Sequence, residues 1–111
     1  MNAVEKYTYR VFWSEEVEEF VGLCAEFPSL SWLDASRDAA LAGIVRVVTD
    51  AVADMADNGE AVPEPVAART YSGELRVRMA PGLHKRLAIE AAEKGTSLNR
   101  VIVNKLIACD P

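Results

Sequence analysis

Residues 72–81 read SGELRVRMAP, and this stretch decides how the second half of the chain folds. Apolar and charged residues alternate in it, which predicts a strand with one apolar face and one charged face. Pro81 follows directly and suits the first turn of a helix, where its missing N–H is not needed. The apolar face comprises Leu75, Val77 and Met79, and the charged face comprises Glu74, Arg76 and Arg78.

Two helices are predicted after this strand, each with an apolar stripe at helical spacing. Gly95 separates them, and Thr96 or Ser97 is the expected cap of the second helix. The stripes contain Leu83, Leu87 and Ala91, then Leu98, Val101, Ile102 and Leu106. A lone strand leaves its edges unpaired, and a segment of about 40 residues cannot build a full core alone. We therefore expect this strand to pair with its copy in a second chain, as an antiparallel ribbon over four helices.

The order strand, helix, Gly-x-Ser turn and helix over residues 73–107 resembles the ribbon-helix-helix family of bacterial DNA-binding proteins. The resemblance implies that the outward side chains of the ribbon read bases in the major groove. By position these base-reading residues are Glu74, Arg76 and Arg78. Arginine suits guanine, and glutamate can accept a hydrogen bond from cytosine. The alternative is that Arg76 and Arg78 only form a solvated strand face.

The same resemblance implies a phosphate site and a shared core. The turn GTSLN, residues 95–99, would bind a DNA phosphate at the start of the second helix, where free N–H groups favour an anion. Its implied phosphate-binding residues are Thr96, Ser97 and Asn99. The implied dimer core consists of Leu75, Val77, Met79, Leu83, Leu87, Leu98 and Ile102.

Charge divides the chain at the same place. Residues 1–71 contain five Lys and Arg against thirteen Asp and Glu, a net charge of −8, whereas residues 72–111 contain seven against four, a net charge of +3. Residues 60–72 contain two prolines and no periodic pattern, which is typical of a linker. We therefore predict a domain at 1–59, a linker at 60–72 and a second domain at 73–111, the acidic half preferring a basic partner.

The first half predicts a small α+β fold. Three short stretches rich in aromatic and β-branched residues predict strands at 7–13, 20–27 and 30–33. A long amphipathic helix follows, with Ser36 as its cap and Asn58-Gly59 at its end. We expect a three-stranded antiparallel sheet with one helix packed on it.

Four motifs of the first half resemble HicB-type antitoxins of type II toxin-antitoxin systems. They are YTYRVFW, FVGLCAEFPSL, SRDAALAGI and NGEAVPEP, in this order along the chain. The resemblance implies a partial ribonuclease-H-like domain that binds a small basic toxin of the HicA type, which cleaves RNA. It further implies a second domain that binds operator DNA and represses the shared operon, and assembly as a homodimer or tetramer. The alternative is an orphan ribbon-helix-helix transcription regulator without a cognate toxin.

Catalysis is not expected, and we predict neither a cofactor nor a metal site. A ribonuclease-H-type nuclease needs three or four converging carboxylates around metal ions, but no acid stands in the middle of the first or second strand. Glu15, Glu16, Glu18 and Glu19 form either a solvated hairpin tip or part of a toxin-facing surface. Cys24 and Cys109 are far apart and are interpreted as reduced thiols of a cytoplasmic protein. No signal peptide and no membrane span are expected.

Overall fold

A computed structural model describes residues 2–110 of the chain. Residues 1 and 111, the outer ends of the two predicted domains, lie outside the described part. The chain divides into two compact units, Met1–Ser72 and Gly73–Pro111.

A three-stranded antiparallel sheet forms the centre of the first unit. Its strands are β1 (Tyr9–Ser14), β2 (Glu19–Cys24) and β3 (Ser31–Asp34), in the order β1-β2-β3. Phe12 lies opposite Val21, and Val21 lies opposite Leu33. Because side chains alternate along a strand, these three residues share one face of the sheet. The α+β class and the three-stranded antiparallel sheet are therefore confirmed.

A four-residue helix, α1 (Ala3–Lys6), precedes the sheet and was not predicted. Asn2 caps it by accepting a hydrogen bond from the Glu5 N–H at 3.2 Å. Val4 is buried in the core, and Tyr7, which was assigned to the first strand, is buried directly after the helix. An Asn followed three residues later by a Glu is the signature of a capping box, and it was the available signal.

Helix α2 (Arg37–Asp57) begins and ends where the sequence predicts. The Ser36 Oγ accepts a hydrogen bond from the Ala39 N–H at 3.2 Å. Asn58 caps the other end, and Gly59 follows with φ of +70°, which glycine adopts without the Cβ clash of other residues. Ile44 and Val48 of this helix are fully buried.

Two glycines allow α2 to lie close to the sheet. A Cβ at Gly22 would lie 2.8 Å from the backbone oxygen of Ala40, and a Cβ at Gly43 would overlap the ring of Trp32. The Arg46 guanidinium carbon lies 5.1 Å from the centroid of the same ring, which adds a cation–π contact. The indole therefore packs between the sheet and the helix in space that glycine leaves open.

Residues 60–71, most of the predicted linker, make specific hydrogen bonds within the first unit. The Tyr7 hydroxyl donates to the Pro63 oxygen at 2.7 Å, and the Val66 N–H donates to Glu26 at 2.9 Å. Pro65 is buried, and residues 66–68 form a short 3₁₀ turn. The Tyr71 hydroxyl donates to the Val66 oxygen at 2.9 Å. This segment is thus held to the rest of the first unit at Pro63 and Val66, and Tyr71 bonds back to Val66.

The second unit contains helices α3 (Pro81–Lys94) and α4 (Leu98–Cys109). Pro81 occupies the first helical position, and Gly95 ends α3 with φ of +64°, both as predicted. Residues 74–80 have no regular secondary structure in the single chain, so the predicted strand does not form there. A strand needs a neighbour to hydrogen-bond with, and the sheet of the described residues consists of β1, β2 and β3.

Candidate nucleic-acid interface

The segment that would form the ribbon exposes its apolar residues in the single chain. Leu75 is 81% exposed and Val77 is 62% exposed, although both were predicted to lie in a core. Glu74, Arg76 and Arg78 are exposed as well. One chain therefore provides neither the pairing nor the burial that a two-faced strand requires.

These apolar residues border an open groove between the segment and the two helices, with a volume of about 960 Å³. Six of the seven predicted dimer-core residues line it: Leu75, Val77, Met79, Leu87, Leu98 and Ile102. The seventh, Leu83, is 39% exposed and does not line the groove. Glu74 and Arg78 also line the groove, whereas Arg76 does not. Two of the three predicted base-reading residues therefore border the same groove as the predicted dimer core.

The turn between the helices has the geometry of a capped helix start. The Ser97 Oγ accepts a hydrogen bond from the Arg100 N–H at 3.0 Å, so Ser97 and not Thr96 is the cap. The Thr96 N–H donates to the Ala91 oxygen at 3.0 Å, so this backbone donor already has a partner at the end of α3. Thr96, Ser97 and Asn99 are all exposed at the positive end of the α4 dipole.

An ion-pair network joins the two helices of the second unit. The Glu90 carboxylate lies 2.9 Å from Lys94 Nζ and 3.1 Å from Lys105 Nζ. Hydrogen bonds from Lys94 and then Lys105 lower the pKa of this carboxyl below its ordinary value. The two lysines thus have an acidic partner within the unit, so we expect them to contribute less to a polyanion site than Arg76 and Arg78.

Glu26 has a structural role in the first unit that the sequence analysis did not predict. One carboxylate oxygen accepts a hydrogen bond from the Thr8 N–H and the other from the Val66 N–H, each at 2.9 Å. Desolvation opposes the charged form of Glu26, but these backbone donors outweigh it and lower its pKa. The local sequence gives no sign of this role, because Val66 is 40 residues away.

No cluster of three His, Cys, Asp or Glu side chains within residues 2–110 is arranged to hold a metal ion. The helices in this part of the chain are also too short or too polar to cross a membrane. Cys24 and Cys109 are both free thiols in the structure, the first buried and the second exposed.

Comparison with protein families gives a match. Residues 58–106 match the model of the HicB family. No curated protein and no solved structure matches the chain. The matched range begins at the end of α2 and includes the hydrogen-bonded segment, all of α3, the Ser97 turn and most of α4. Over these residues, the chain is similar to the HicB family.

Proposed function

We propose that this chain is a HicB-like antitoxin of a type II toxin-antitoxin system. It neutralises a small basic HicA-type toxin that cleaves RNA, and it represses its own operon by binding operator DNA in the cytoplasm. The observation that carries this proposal is the family match over residues 58–106, which includes the segment with Arg76 and Arg78, helix α3 and most of α4 with its Ser97 cap.

The proposal of DNA binding depends on pairing of residues 73–107 with the same residues of a second copy. Pairing of two 74–79 segments would supply the missing strand neighbour and cover the groove lined by Leu75 and Val77. The charged side chains of both strands would then face away from the shared core, and Arg76 and Arg78 would reach guanine while Glu74 meets cytosine. Thr96, Ser97 and Asn99 at the start of α4 would bind a backbone phosphate.

Toxin binding rests on the charge of the first unit. Thirteen Asp and Glu against five Lys and Arg give residues 1–71 a net charge of −8, which favours a cationic protein and disfavours nucleic acid. In this proposal the first unit, a partial ribonuclease-H-like domain, is a binding module and has no catalytic residues, cofactor or metal.

The alternative is an orphan ribbon-helix-helix regulator without a toxin. One observation favours it: the family match begins at residue 58, so most of the first unit, where the toxin would bind, lies outside the matched range. In this alternative the acidic unit binds another protein or a small ligand, or only oligomerises.

Two binding measurements on the full chain test the proposal. Gel-shift titration against DNA from upstream of its own gene should show specific binding that scrambled DNA of the same length does not reproduce. Titration calorimetry against the purified small basic protein encoded next to the chain should show a stoichiometric complex. Specific DNA binding without that complex would favour the orphan regulator, and absence of both would refute both readings.

A further inference from the structure

The sheet of the first unit has one face packed against α2 and one face that carries an apolar row. Phe12, Val21 and Leu33 stand side by side across the three strands, with Leu23 in the next row. Gly22, on the opposite face, lies against Ala40 and Ile44 of α2. Phe12 is 36% exposed and Leu33 is 46% exposed. The water-facing side of an antiparallel sheet is normally polar, so this row is unusual for a surface that stays in water.

Acidic side chains border this row at the β1–β2 hairpin. Glu15, Glu16 and Glu18 are exposed in the turn, and Glu19 lies on the same face as Val21 because it is two residues away along β2. Residues 11–36 contain six Asp and Glu and no Lys or Arg. The apolar row thus adjoins a cluster of four glutamates at the hairpin, while Arg10 lies on the same face, opposite Leu23.

The face already accommodates one cation. The guanidinium carbon of Arg10 lies 4.7 Å from the centroid of the Phe12 ring. A positive group over an aromatic face is attracted by the ring quadrupole, and this attraction grows when the contact loses water. Lysine or arginine side chains from a partner would meet the carboxylates of the glutamate hairpin that borders the row.

The charges disfavour two possible occupants of this face. A second copy of the first unit would bring another net charge of −8 and another glutamate hairpin against the first, and nucleic acid would be repelled in the same way. A protein that presents apolar side chains bordered by Lys and Arg matches both features. We propose that the apolar row and the adjoining glutamate hairpin are the docking surface for the small basic toxin; this inference rests on the proposed function.

Two matched pairs of substitutions in the full chain test this surface. Leu33→Arg places a cation in the apolar row, and its control Leu41→Arg alters a leucine of α2 that is 43% exposed, close to the 46% of Leu33. Glu16→Lys reverses one hairpin charge, and its control Glu60→Lys reverses an exposed charge just beyond α2. The probe is the purified small basic protein encoded next to the chain, titrated by calorimetry at fixed salt.

We expect Leu33→Arg to raise Kd at least about tenfold, the effect of losing one central interface contact, and Leu41→Arg to change it less than about twofold. Glu16→Lys should slow association and weaken its salt dependence, whereas Glu60→Lys should do so less. Thermal unfolding of each variant checks that the fold is kept. If Leu33→Arg lowers the melting temperature, the test of this surface depends on the comparison of Glu16→Lys with Glu60→Lys, because both of those residues are exposed.

Three outcomes would overturn the assignment. If the unmodified chain binds tightly and the two variants of each pair have equal affinity, this surface is excluded as the docking site, but the antitoxin function is not contradicted. If the unmodified chain does not bind the basic protein, both the docking surface and the proposed toxin binding are contradicted. A smaller mass for Leu33→Arg in light scattering, with Leu41→Arg unchanged, would show that a second copy covers the face.

Discussion

The two units of this chain differ in how much of their apolar surface they bury. In the first unit a cluster of Val4, Tyr7, Cys24, Ile44 and Val48 is buried between helix and sheet. In the second unit only Ala91 and Val101 are buried among the described residues, and Leu75 is 81% exposed. A core completed within one chain is a basis for independent folding, whereas a core left open is a basis for folding with a partner. We therefore expect the first unit to fold alone and the second to fold as a dimer.

The largest expected effect comes from Leu75→Asp. In an isolated chain a residue that is 81% exposed tolerates this change, but in a paired ribbon it places two charges in the shared core. Loss of one buried leucine contact is worth about 1.5–3 kcal/mol and occurs twice per dimer, so we expect a monomer with an unfolded second unit. Light scattering and circular dichroism would measure both.

The control for Leu75→Asp is Ile89→Asp. Ile89 is also an exposed apolar residue of the second unit, at 47%, but it does not line the groove. Its substitution should leave the mass of the assembly unchanged. If both variants keep the mass and the circular dichroism of the unmodified chain, the second unit does not depend on pairing.

The next effect concerns DNA. The double substitution Arg76→Ala/Arg78→Ala should abolish preference for operator over scrambled DNA without unfolding the chain, because both residues are exposed. One bidentate arginine–guanine contact is worth about 1–3 kcal/mol, so one such arginine contributes about 2–6 kcal/mol per dimer if both copies bind a guanine. Arg46→Ala, in the first unit, is the control. Gel-shift titration at fixed salt measures the change, and unaltered operator affinity in the double variant would exclude the ribbon as the reading element.

A smaller effect is expected in the first unit from Glu26→Gln. Glutamine retains one acceptor but places an NH₂ group against the Thr8 or Val66 N–H, so one backbone donor loses its bond. We expect a loss of about 1–2 kcal/mol in the free energy of unfolding of this unit. Urea titration measures it, with Glu64→Gln as an exposed control. Equal stability of the two variants would mean that Glu26 does not hold the segment.

Glu26 also makes a prediction about pH. Its pKa in the folded chain is lowered from the ordinary value of 4.5. Its contribution to stability is therefore fully present above pH 4.5 and is lost as pH falls through the lower folded pKa. The melting temperature of Glu26→Gln should depend less steeply on pH in this range than that of the unmodified chain.

The smallest expected effect separates Ser97 from its neighbour. Ser97→Ala removes the side-chain acceptor of the Arg100 N–H and should cost about 1 kcal/mol of stability in the second unit. It should also weaken binding to operator and scrambled DNA alike, because a phosphate contact carries no sequence information. Thr96→Ala removes no cap and should leave the melting temperature nearly unchanged. Equal melting temperatures for the two variants would contradict the assignment of the cap.

Local patterns in the sequence were enough to predict the sheet, α2 and both helices of the second unit. The caps at Ser36 and Ser97 were predictable because an N-cap bond joins residues only three positions apart. Residues 60–71 were interpreted as a linker because their composition is that of a linker. Their attachment depends on Glu26 and Tyr7, at separations of 40 and 56 residues, which no local pattern reveals.

The predicted ribbon is a different case, because its alternating pattern is visible in the sequence but no strand forms in the single chain. The alternation at Leu75, Val77 and Met79 predicts two faces, and the exposure of Leu75 and Val77 shows that a single copy does not bury one of them. Whether these residues meet a second copy stays a prediction. The roles of Glu74, Arg76 and Arg78 depend on that pairing.

The position of Trp32, packed against Gly43, and of the other aromatic residues has a practical consequence for measuring unfolding. Every Trp, Tyr and Phe of the chain lies within residues 7–71, and residues 73–111 contain none. Trp32 is half-buried beside α2, while Trp13 is 46% exposed and packs edge-on against Phe20, with ring centroids 5.2 Å apart. Intrinsic fluorescence should therefore follow the first unit directly, whereas far-ultraviolet circular dichroism also follows α3 and α4. A chain that unfolds in two stages would show different midpoints for the two signals, without any added label.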